Sequence, residues 1–468
     1  MPEVVVSACL LGRACRYDGA SKADPAVIEA LEGQGVVAVC PEELGGLGTP
    51  RPSAELRGGD GLAALDGRAS VVREADGIDV TAAFIAGARA AARRAEGART
   101  AILKARSPSC GCGATHIDGA VRPGDGVFAA LLRQRGVRVM SDETLRARRP
   151  LGPLHIHPMV MGTWAFGGWF WGGFDRGQAV RALHAAADAG VNLVDTAPLY
   201  GFGDAERLVG EALRGRDVMV ATKCGLRWPD TLGEGFSEAQ AEAVGGPGVY
   251  RCLRPESVTL ECERSLRRLG REVIDLFQLH WPDPDTPIAD TMGAMLRLQE
   301  RGLIRAIGVS NVSPDQLREA SAVAPVVATQ EAYSLLDRRV EDGLVDACED
   351  LGVGILAYSP VASGLLTGRL TAERALRPGD KRAERPAFAP ARRTAVNRAL
   401  ARLEPLLEGR TPASLALAWV LARPGVAGVV FGARTPAQVI ENLDALRRPL
   451  SPEQADAVAR LFEGPEPP

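Results

Sequence analysis

The sequence has almost no net charge, no long apolar run and little cysteine. Its 468 residues carry 55 Lys and Arg against 58 Asp and Glu, which gives a formal net charge of −3 at pH 7. This balance argues against a general nucleic-acid binder and against a membrane-surface binder. No apolar run approaches the roughly 18 residues that a membrane-spanning helix needs, and the first ten residues lack the Lys or Arg of a secretory signal. We therefore expect a cytoplasmic protein without nucleic-acid or membrane partners.

The nine cysteines do not have the number or the placement of a disulfide framework. An odd number of cysteines in a large cytosolic chain argues against systematic pairing. Five of the nine fall in the first quarter of the chain, and they are Cys9, Cys15, Cys40, Cys110 and Cys112. This early cluster predicts a metal or redox centre.

The chain is longer than one ordinary hydrophobic core organises, so we expect two domains. The composition changes near residue 145, where a stretch rich in Arg, Pro and His shows no clear periodicity. We predict one domain over 1–145, a linker over 146–157 and a second domain over 158–468. Within the second domain, residues 226–257 contain the turn-rich sequences WPD, GEGF and GGPG, which predict an extended loop or lid.

The second domain shows a regular alternation of short apolar runs and helical patterns. Near-continuous apolar strands with helices between them indicate a parallel sheet that is covered on both faces. A doubly wound sheet is the competing interpretation, but eight such units favour a closed (β/α)8 TIM barrel. The eight runs span residues 160–162, 191–196, 218–223, 274–280, 306–311, 326–332, 354–360 and 428–434.

Polar residues stand where these predicted strands end, and the chemistry of such a barrel lies at that rim. A phenol has an ordinary pKa near ~10, which is too high for an efficient acid at neutral pH. A nearby ammonium lowers that pKa, a carboxylate holds the ammonium, and an imidazole orients a carbonyl oxygen. Each residue alone is as readily a helix cap or a structural group, but the set together favours a site that protonates an oxygen as hydride reaches the adjacent carbon. The set comprises Asp195, Tyr200, Lys223 and His280.

The motifs DTAPLYGFG, ATKCG, LHWPDP, GVSN, AYSP and GARTPAQVIENL follow one another in this order. With them, the region from about 158 to 465 resembles the aldo-keto reductase family. The resemblance implies reduction of an aldehyde or ketone, with Tyr200 as the general acid. It further implies that Lys223 and Asp195 tune Tyr200 and that His280 orients the substrate. A nucleotide-sensing or scaffold barrel is the alternative from a different class.

The same resemblance implies a nicotinamide cofactor along the rim. Ser310, Asn311 and Gln330 would hold the nicotinamide amide, and Tyr358 would stack on the ring. Arg434 would contact the 2′-phosphate, which favours NADPH over NADH. The remaining cofactor residues would be Ser359, Gly432, Ala433, Gln438, Glu441 and Asn442.

Two departures from the family pattern stand out. Ala205 occupies a position where the family often has serine. We also expect the β-hairpin that usually precedes the first strand to be missing, which would leave the barrel bottom less well closed. The stretch YGFGDAE is not a dinucleotide fingerprint, because Glu206 stands where the pattern requires glycine.

The N-terminal domain carries three cysteine-containing loops at the ends of short apolar strands. The loops are SACLLGRACRYDG, CPEELGGLGTPRPSAE and LKARSPSCGCG. Parallel strands would bring them to one edge of a sheet, where three thiolates can hold zinc or an iron–sulfur cluster. The spacings are far wider than those of ordinary zinc modules. We predict a three-layer α/β domain with a parallel sheet.

On these loops and the segment GDGVFAALLRQRGVRVMSDE, residues 3–142 resemble the thiouracil desulfidase family. The resemblance implies a [4Fe–4S] cluster on Cys9, Cys40 and Cys110, with one iron left for the sulfur of a thiocarbonyl while water attacks the carbon. Glu42 and Ser107 would be the acid/base and positioning residues. The roles of Cys15 and Cys112 stay open, and a non-catalytic cluster or zinc site is the alternative. The sequence thus predicts a fusion that acts on small carbonyl and thiocarbonyl substrates.

Overall fold

The computed structural model describes residues 4–31, 33–146, 148–168, 170–228, 232–237, 248–446 and 448–463. The chain divides into two compact units. The first comprises Met1–Arg148 with Asp188–Gly190, and the second comprises Arg149–Ala187 with Val191–Pro468. In the part of the chain that is described, no helix is long and apolar enough to cross a membrane.

The first unit is built on a four-stranded parallel sheet whose strands are short and rich in valine and isoleucine. The order is β2–β1–β5–β8, from β1 (Val4–Ser7), β2 (Val36–Val39), β5 (Thr100–Leu103) and β8 (Arg138–Ser141). Successive side chains alternate between the faces of the sheet. Val5 therefore packs in one apolar cluster with Phe84 and Phe128, whereas Val4 and Val27 share another. The predicted α/β domain with a parallel sheet is confirmed.

A second sheet in this unit was not predicted. It runs β4–β3–β6–β7, from β3 (Ala54–Arg57), β4 (Ser70–Arg73), β6 (Ala114–Ile117) and β7 (Ala120–Pro123), with antiparallel pairing at both ends. These strands carry charged residues and are partly exposed, so their apolar signal is weak. The helices of the unit are α1 (Pro25–Ala30), α2 (Pro41–Leu44), α3 (Gly61–Leu65), α4 (Thr81–Arg94), α5 (Val127–Gln134) and α6 (Asp142–Arg146).

The second unit is a closed barrel of eight parallel strands, which confirms the predicted TIM barrel. Each strand pairs with the next one along the chain, and the last pairs with the first. The strands are β11 (Met159–Gly162), β12 (Leu193–Asp195), β13 (Met219–Cys224), β17 (Ile274–Leu279), β18 (Ile304–Ser310), β19 (Val326–Ala332), β20 (Gly354–Tyr358) and β21 (Val426–Gly432).

Helices connect most of these strands, as the apolar periodicity predicts. They are α7 (Arg176–Asp188), α8 (Asp204–Ala212), α9 (Pro255–Leu269), α10 (Ile288–Glu300), α11 (Pro314–Val323), α12 (Leu344–Leu351), α13 (Pro390–Ala401), α14 (Glu404–Leu407), α15 (Pro412–Leu421), α16 (Pro436–Leu443) and α17 (Pro452–Arg460). Helix α9 shows how residue types set the ends of a helix. Pro255 is its first residue, and Gly270 ends it at a positive φ of 62°.

The expected absence of a hairpin before the first barrel strand is wrong. Strands β9 (Arg149–Leu151) and β10 (Leu154–Ile156) form an antiparallel hairpin inside the stretch predicted as a linker. Gly152 makes the turn at a φ of 55°, where a Cβ would lie 2.2 Å from Val327 Cγ1. The apolar residues of the hairpin are buried against interior residues of the barrel such as Leu193 and Leu276. The hairpin therefore closes the bottom of the barrel.

The stretch predicted as an extended loop or lid contains three short strands. Strands β14 (Leu226–Arg227), β15 (Glu234–Ser237) and β16 (Val249–Arg251) form an antiparallel sheet in the order β14–β16–β15. Residues 229–231 and 238–247 of that stretch lie outside the described residues. Leu226 and Val249 are buried together with Leu199, so this sheet packs on the loop that carries Tyr200.

Candidate functional site

The carboxyl ends of the barrel strands surround a cavity of ≈ 880 Å³. Asp195 is the last residue of β12, His280 follows β17, and Ser310 ends β18. Apart from Lys223, which is fully buried, every residue that the sequence predicts for catalysis or cofactor binding in the barrel lines this cavity. These lining residues are Asp195, Tyr200, His280, Ser310, Asn311, Gln330, Tyr358, Ser359, Gly432, Ala433, Arg434, Gln438, Glu441 and Asn442.

A buried ion pair joins the ends of β12 and β13. The Lys223 Nζ lies 2.9 Å from Asp195 Oδ1 and 2.8 Å from Oδ2, and it also donates to the Thr196 carbonyl at 2.9 Å. Asp195 is 2% exposed and Lys223 is 0% exposed. Burial lowers the pKa of Lys223, and the Asp195 carboxylate opposes that shift. The pair thus holds a cation at a fixed place beside the cavity.

Tyr200 and His280 stand next to this cation. The Lys223 Nζ is 5.2 Å from the centroid of the Tyr200 ring, and the rings of Tyr200 and His280 meet edge-on with centroids 6.1 Å apart. Burial, followed by the Asp195 and Tyr358 charges, raises the pKa of Tyr200 above its ordinary value. The lowering of that pKa by Lys223, which the sequence predicts, therefore does not prevail, because burial of the phenol is the largest cause and the Asp195 carboxylate adds to it. Tyr200 carries its proton at neutral pH.

His280 is neutral in this environment. Burial lowers its pKa well below the ordinary histidine value, and the nearby Lys223 charge adds to that shift. A neutral imidazole can donate one N–H to an oxygen in the cavity without offering a second proton. The site therefore combines a protonated phenol, a neutral imidazole and a buried ammonium.

The residues predicted for the nicotinamide amide are linked to one another. Ser310 Oγ donates to the Gln330 carbonyl at 2.7 Å, and the Tyr358 hydroxyl donates to Asn311 Oδ1 at 2.8 Å. Asn311 adopts a positive φ of 58°, a conformation that asparagine tolerates better than most residues. The Gln330 side chain donates to Asp195 Oδ2 at 2.8 Å. One network therefore joins this end of the cavity to the ion pair.

Glu331 supports the same loop and was not predicted from the sequence. Its Oε1 accepts from the Thr329 hydroxyl at 2.7 Å and from the Val312 N–H at 3.2 Å. Burial raises the pKa of Glu331 to about 7. A charged residue inside the apolar run of β19 was the signal that could have found it.

The far end of the cavity is formed by the turn between β21 and α16. The Arg434 N–H donates to Gln438 Oε1 at 2.7 Å, and Asn442 Nδ2 donates to the Gly432 carbonyl at 3.1 Å. The Glu441 carboxylate oxygens accept hydrogen bonds from Arg369 Nη2 at 2.8 Å and 2.9 Å. These hydrogen bonds hold the turn in place. The Arg434 side chain lines the cavity from this turn.

Arg434 belongs to a cluster of cations that the sequence analysis missed. Its Cζ lies 5.4 Å from the centroid of the Trp171 ring, and the Arg382 Cζ lies 4.8 Å from the same ring. Burial lowers the pKa of Arg434, and the neighbouring Arg382 and Arg377 lower it further. The arginine-rich run RALRPGDKRAERP was the available signal. The arginines that line the cavity are Arg369, Arg374, Arg377, Arg382, Arg385 and Arg434.

Aromatic side chains line the same cavity and were also missed. The rings of Trp164 and Phe170 are tilted by 31° with centroids 4.6 Å apart, and Trp171 meets Phe170 edge-on with centroids 5.2 Å apart. Phe236 and Trp281 line the cavity from other loops. The run WAFGGWFWGGF was the signal, because aromatics that dense after a barrel strand are typical of a pocket wall.

The thiols of the first unit form a separate group. Ligand atoms of Cys15, Cys40 and Glu43 lie within 4.8 Å of one another. The Cys15 thiol also hydrogen-bonds to Cys9, and the charge of Cys40 acts on the buried Cys110. Of the three predicted ligands, only Cys40 belongs to this group among the described residues, whereas Cys9 reaches it through Cys15 and Cys110 through the electrostatic effect of Cys40.

Cys112 lies outside this group. Its Sγ accepts from Arg133 at 3.0 Å and donates to the Val139 carbonyl at 3.3 Å. Cys112 is therefore the one early cysteine that these contacts set apart.

Glu42 and Ser107 border the thiol group. Arg51 contacts Glu42 Oε2 at 2.8 Å and 2.6 Å through two nitrogens, and it donates to the Cys15 carbonyl at 3.0 Å. Ser107 Oγ accepts from the Cys110 N–H at 3.1 Å, which shapes the turn that carries this cysteine. Arg51 was not predicted, although TPRP stands within one of the cysteine segments.

The donor set fits a thiophilic metal centre. Burial raises the pKa of Cys110 to about 12. Cys40 lowers the pKa of Cys15, but Cys9 and burial outweigh it, and the value is raised to about 11. Clustered thiols with raised pKa values lose their protons when a metal cation binds them, and thiolates suit iron–sulfur clusters or zinc.

Comparison with known proteins matches residues 158–463 to the aldo/keto reductase family. An NADH-specific methylglyoxal reductase of Escherichia coli is 38% identical over 329 residues, which span 68% of this chain and 98% of that protein. A solved glycerol dehydrogenase from Gluconobacter oxydans is 37% identical, with a TM-score of 0.60 over 68% of this chain and 95% of its own. A solved aldo-keto reductase from Bacillus halodurans is 30% identical, with a TM-score of 0.55 over 67% and 95%.

Residues 4–144 match the family model described as 2-thiouracil desulfurase. Every cysteine of the thiol group, together with Glu42 and Ser107, falls inside this match. The two matches are adjacent in the sequence and do not overlap.

Proposed function

Because this chain belongs to the aldo/keto reductase family and joins that barrel to a 2-thiouracil desulfurase-like domain, we propose that it is a bifunctional enzyme. The barrel reduces a carbonyl compound with a nicotinamide cofactor, and we assign NADPH as the cofactor. The N-terminal domain removes sulfur from a thiocarbonyl such as 2-thiouracil. The buried Lys223–Asp195 pair beside Tyr200 is the observation that carries the first assignment.

Each of the barrel residues has a separate role in the proposed reduction. The bound reduced nicotinamide supplies the hydride. His280, neutral at neutral pH, donates an N–H that orients the carbonyl oxygen toward Tyr200. Tyr200 transfers its hydroxyl proton to that oxygen, and the Lys223 ammonium stabilises the phenolate that forms. Asp195 keeps the ammonium in place and charged.

The arginine cluster supports the choice of NADPH. A 2′-phosphate adds two negative charges to the cofactor, and guanidinium groups bind phosphate through paired N–H donors. Arg434 lies at the turn that the family resemblance implies for the adenosine end, with Arg377 and Arg382 close to it. The E. coli relative, by contrast, is named as NADH-specific.

For the N-terminal domain, Cys9, Cys40 and Cys110 would hold a [4Fe–4S] cluster, which supplies a Lewis-acidic site for a thiocarbonyl sulfur. Glu42 would move the proton of the attacking water, since its carboxylate is held beside the thiols by Arg51. Ser107 would fix the Cys110 turn through the N–H that its hydroxyl accepts.

The position of Cys15 favours a second candidate for this domain. Cys15 hydrogen-bonds to both Cys9 and Cys40, and Cys40 acts on Cys110, so Cys15 would be the fourth thiol of a site built on the three predicted ligands. Four thiolates would complete the coordination of a metal site and leave no position for a substrate. Such a site would be structural or would sense redox state.

We expect Tyr200→Phe to abolish carbonyl reduction while NADPH still binds, because the variant lacks only the proton donor. The loss in kcat should be on the order of 10²-fold or more, the usual size of general acid catalysis. Turnover of model aldehydes and fluorescence titration with NADPH measure the two properties. Tyr333→Phe is the matched control, since that buried hydroxyl bonds Glu341 at 2.6 Å and lies outside the cavity lining. Turnover of Tyr200→Phe at the wild-type rate would refute the assignment.

We expect Arg434→Ala to weaken NADPH binding by about tenfold or more, since a hydrogen bond to a charged group contributes roughly 1.5–3 kcal/mol. NADH lacks the 2′-phosphate and should bind the variant almost as it binds the wild type. Titration of both cofactors into both proteins measures this, with NADH as the internal control. If the binding of both cofactors weakened equally, Arg434 would not be a contact of the 2′-phosphate.

We expect anaerobically purified protein to be brown and to contain iron and acid-labile sulfide. Replacing Cys9, Cys40 or Cys110 by serine should bleach it, whereas the Cys112→Ser control should stay coloured. Glu42→Ala should keep the colour and stop sulfide release from 2-thiouracil. Loss of the cluster in Cys15→Ser, with no sulfide release by the wild type, would favour the closed site. Zinc without iron in the wild type would overturn the iron–sulfur assignment.

A further inference from the structure

We infer that Gln330 is a positioning residue for the Asp195–Lys223 pair, in addition to the cofactor contact assigned to it above. The same side chain would then both contact the nicotinamide and influence how readily Tyr200 donates its proton. This inference rests on the proposed reductase function of the barrel. It assigns to Gln330 an effect on proton transfer that a purely cofactor-binding residue would not have.

The geometry places Gln330 on the same carboxylate oxygen as the catalytic ammonium. Gln330 Nε2 lies 2.8 Å from Asp195 Oδ2, and Lys223 Nζ lies 2.8 Å from that oxygen as well. Gln330 and Asp195 are each 2% exposed, so water does not compete for this contact. The two residues lie on β19 and β12, which are not neighbours in the barrel, so the hydrogen bond crosses the barrel mouth.

The carboxylate also fixes which way the Gln330 amide faces. A carboxylate only accepts hydrogen bonds, so the NH2 end of the amide must face Asp195. The Oε1 end is then available to a donor in the cavity that Gln330 lines. A nicotinamide carboxamide offers such an N–H. The same side chain can therefore contact Asp195 and the cofactor at once.

Gln330 affects the electrostatics of Tyr200 because its N–H is a further donor to Asp195 Oδ2, besides Lys223. The Gln330 N–H stabilises the negative charge of Asp195, and this charge disfavours the Tyr200 phenolate. Without that N–H, Asp195 keeps Lys223 and the longer contact from Gln278 Nε2 at 3.5 Å. More of the Lys223 charge then compensates Asp195, and less of it stabilises the Tyr200 phenolate. Tyr200 would then become a weaker acid. The charged and titratable groups that bear on Tyr200 and its partners are Asp195, Lys223, His280, Tyr358 and Glu206.

Ser310 provides a comparison within the same end of the cavity. Its hydroxyl donates to the Gln330 carbonyl at 2.7 Å, and it too is assigned to the nicotinamide amide. Among the hydrogen bonds of the described residues, the Ser310 side chain makes none to Asp195. Ser310→Ala should therefore affect cofactor binding without changing the acidity of Tyr200.

The test is the pH dependence of hydride transfer in a single turnover, with the full-length protein saturated with NADPH and mixed with a model aldehyde. In Gln330→Met, which keeps the length of the side chain without its N–H, we expect a rate at neutral pH lowered by roughly tenfold, as for loss of one hydrogen bond to a charged group. The alkaline limb of the profile, where Tyr200 loses its proton, should move to higher pH. Ser310→Ala should weaken NADPH binding and leave that limb in place.

Gln330→Glu supplies an independent variant if the methionine variant does not fold. A protonated glutamic acid can still donate to Asp195, and it stops doing so when it ionises beside that carboxylate. Its rate should therefore approach the wild-type rate at low pH and fall as the pH rises. Wild-type profiles in the Gln330 variants that fold would overturn the inference and leave Gln330 as a cofactor contact only. A wild-type protein that oxidises no NADPH with any aldehyde would instead refute the proposed reductase function.

Discussion

The buried ion pair of Asp195 and Lys223 is the constraint on which the barrel site depends. Removing two charges from water costs on the order of several kcal/mol for each ion, and only close contact with well-placed partners offsets that cost. The pair meets this requirement with two short contacts to each other, the Thr196 carbonyl and the Gln330 amide. Because these partners come from three strands, the position of the cation is fixed by the barrel itself. In the proposed mechanism, that position lets the ammonium stabilise the phenolate that Tyr200 becomes when it donates its proton.

Both units bring distant residues together in the same way. The carboxyl ends of parallel strands meet at one edge, so residues that are far apart in sequence face a common space. In the barrel this edge carries the phenol, the imidazole and the arginine cluster on a single cavity. In the first unit it carries Cys9 after β1 and Cys40 after β2, with Cys110 in the loop that follows β5. The chemistry differs because one edge presents charges and hydrogen bonds, whereas the other presents soft thiols.

The sequence predicted the barrel strands and the rim residues because both signals are local. Buried parallel strands are continuous apolar runs, and a polar residue at the end of such a run is conspicuous at positions such as Asp195 and Gln330. The hairpin at 149–156 was missed because each of its strands has only three residues, Pro150 lies within the first strand, and Gly152 and Pro153 form the turn. Its burial against the barrel interior is a tertiary effect that periodicity does not show.

The site details that escaped prediction depend on distances through space. The pKa of Tyr200 reflects its burial and the charge of Asp195, and neither is visible in a list of residue types. The contact of Cys15 with Cys9 and Cys40 likewise depends on how a loop folds back. Arg382 lies near Arg434 only because both lie beside Trp171. Most of these residues are conspicuous in the sequence, but the contacts between them depend on the folded structure.

The most direct measurement of the central claim is the single-turnover rate of hydride transfer in Lys223→Met, a variant with similar side-chain volume and no charge, with NADPH already bound. If the ammonium held by Asp195 supports proton donation by Tyr200, the rate should fall on the order of 10²-fold or more, as expected for the loss of a preorganised charge at the reacting group. The affinity for NADPH should stay close to that of the wild type. A folded Lys223→Met protein that transfers hydride at the wild-type rate would contradict the account.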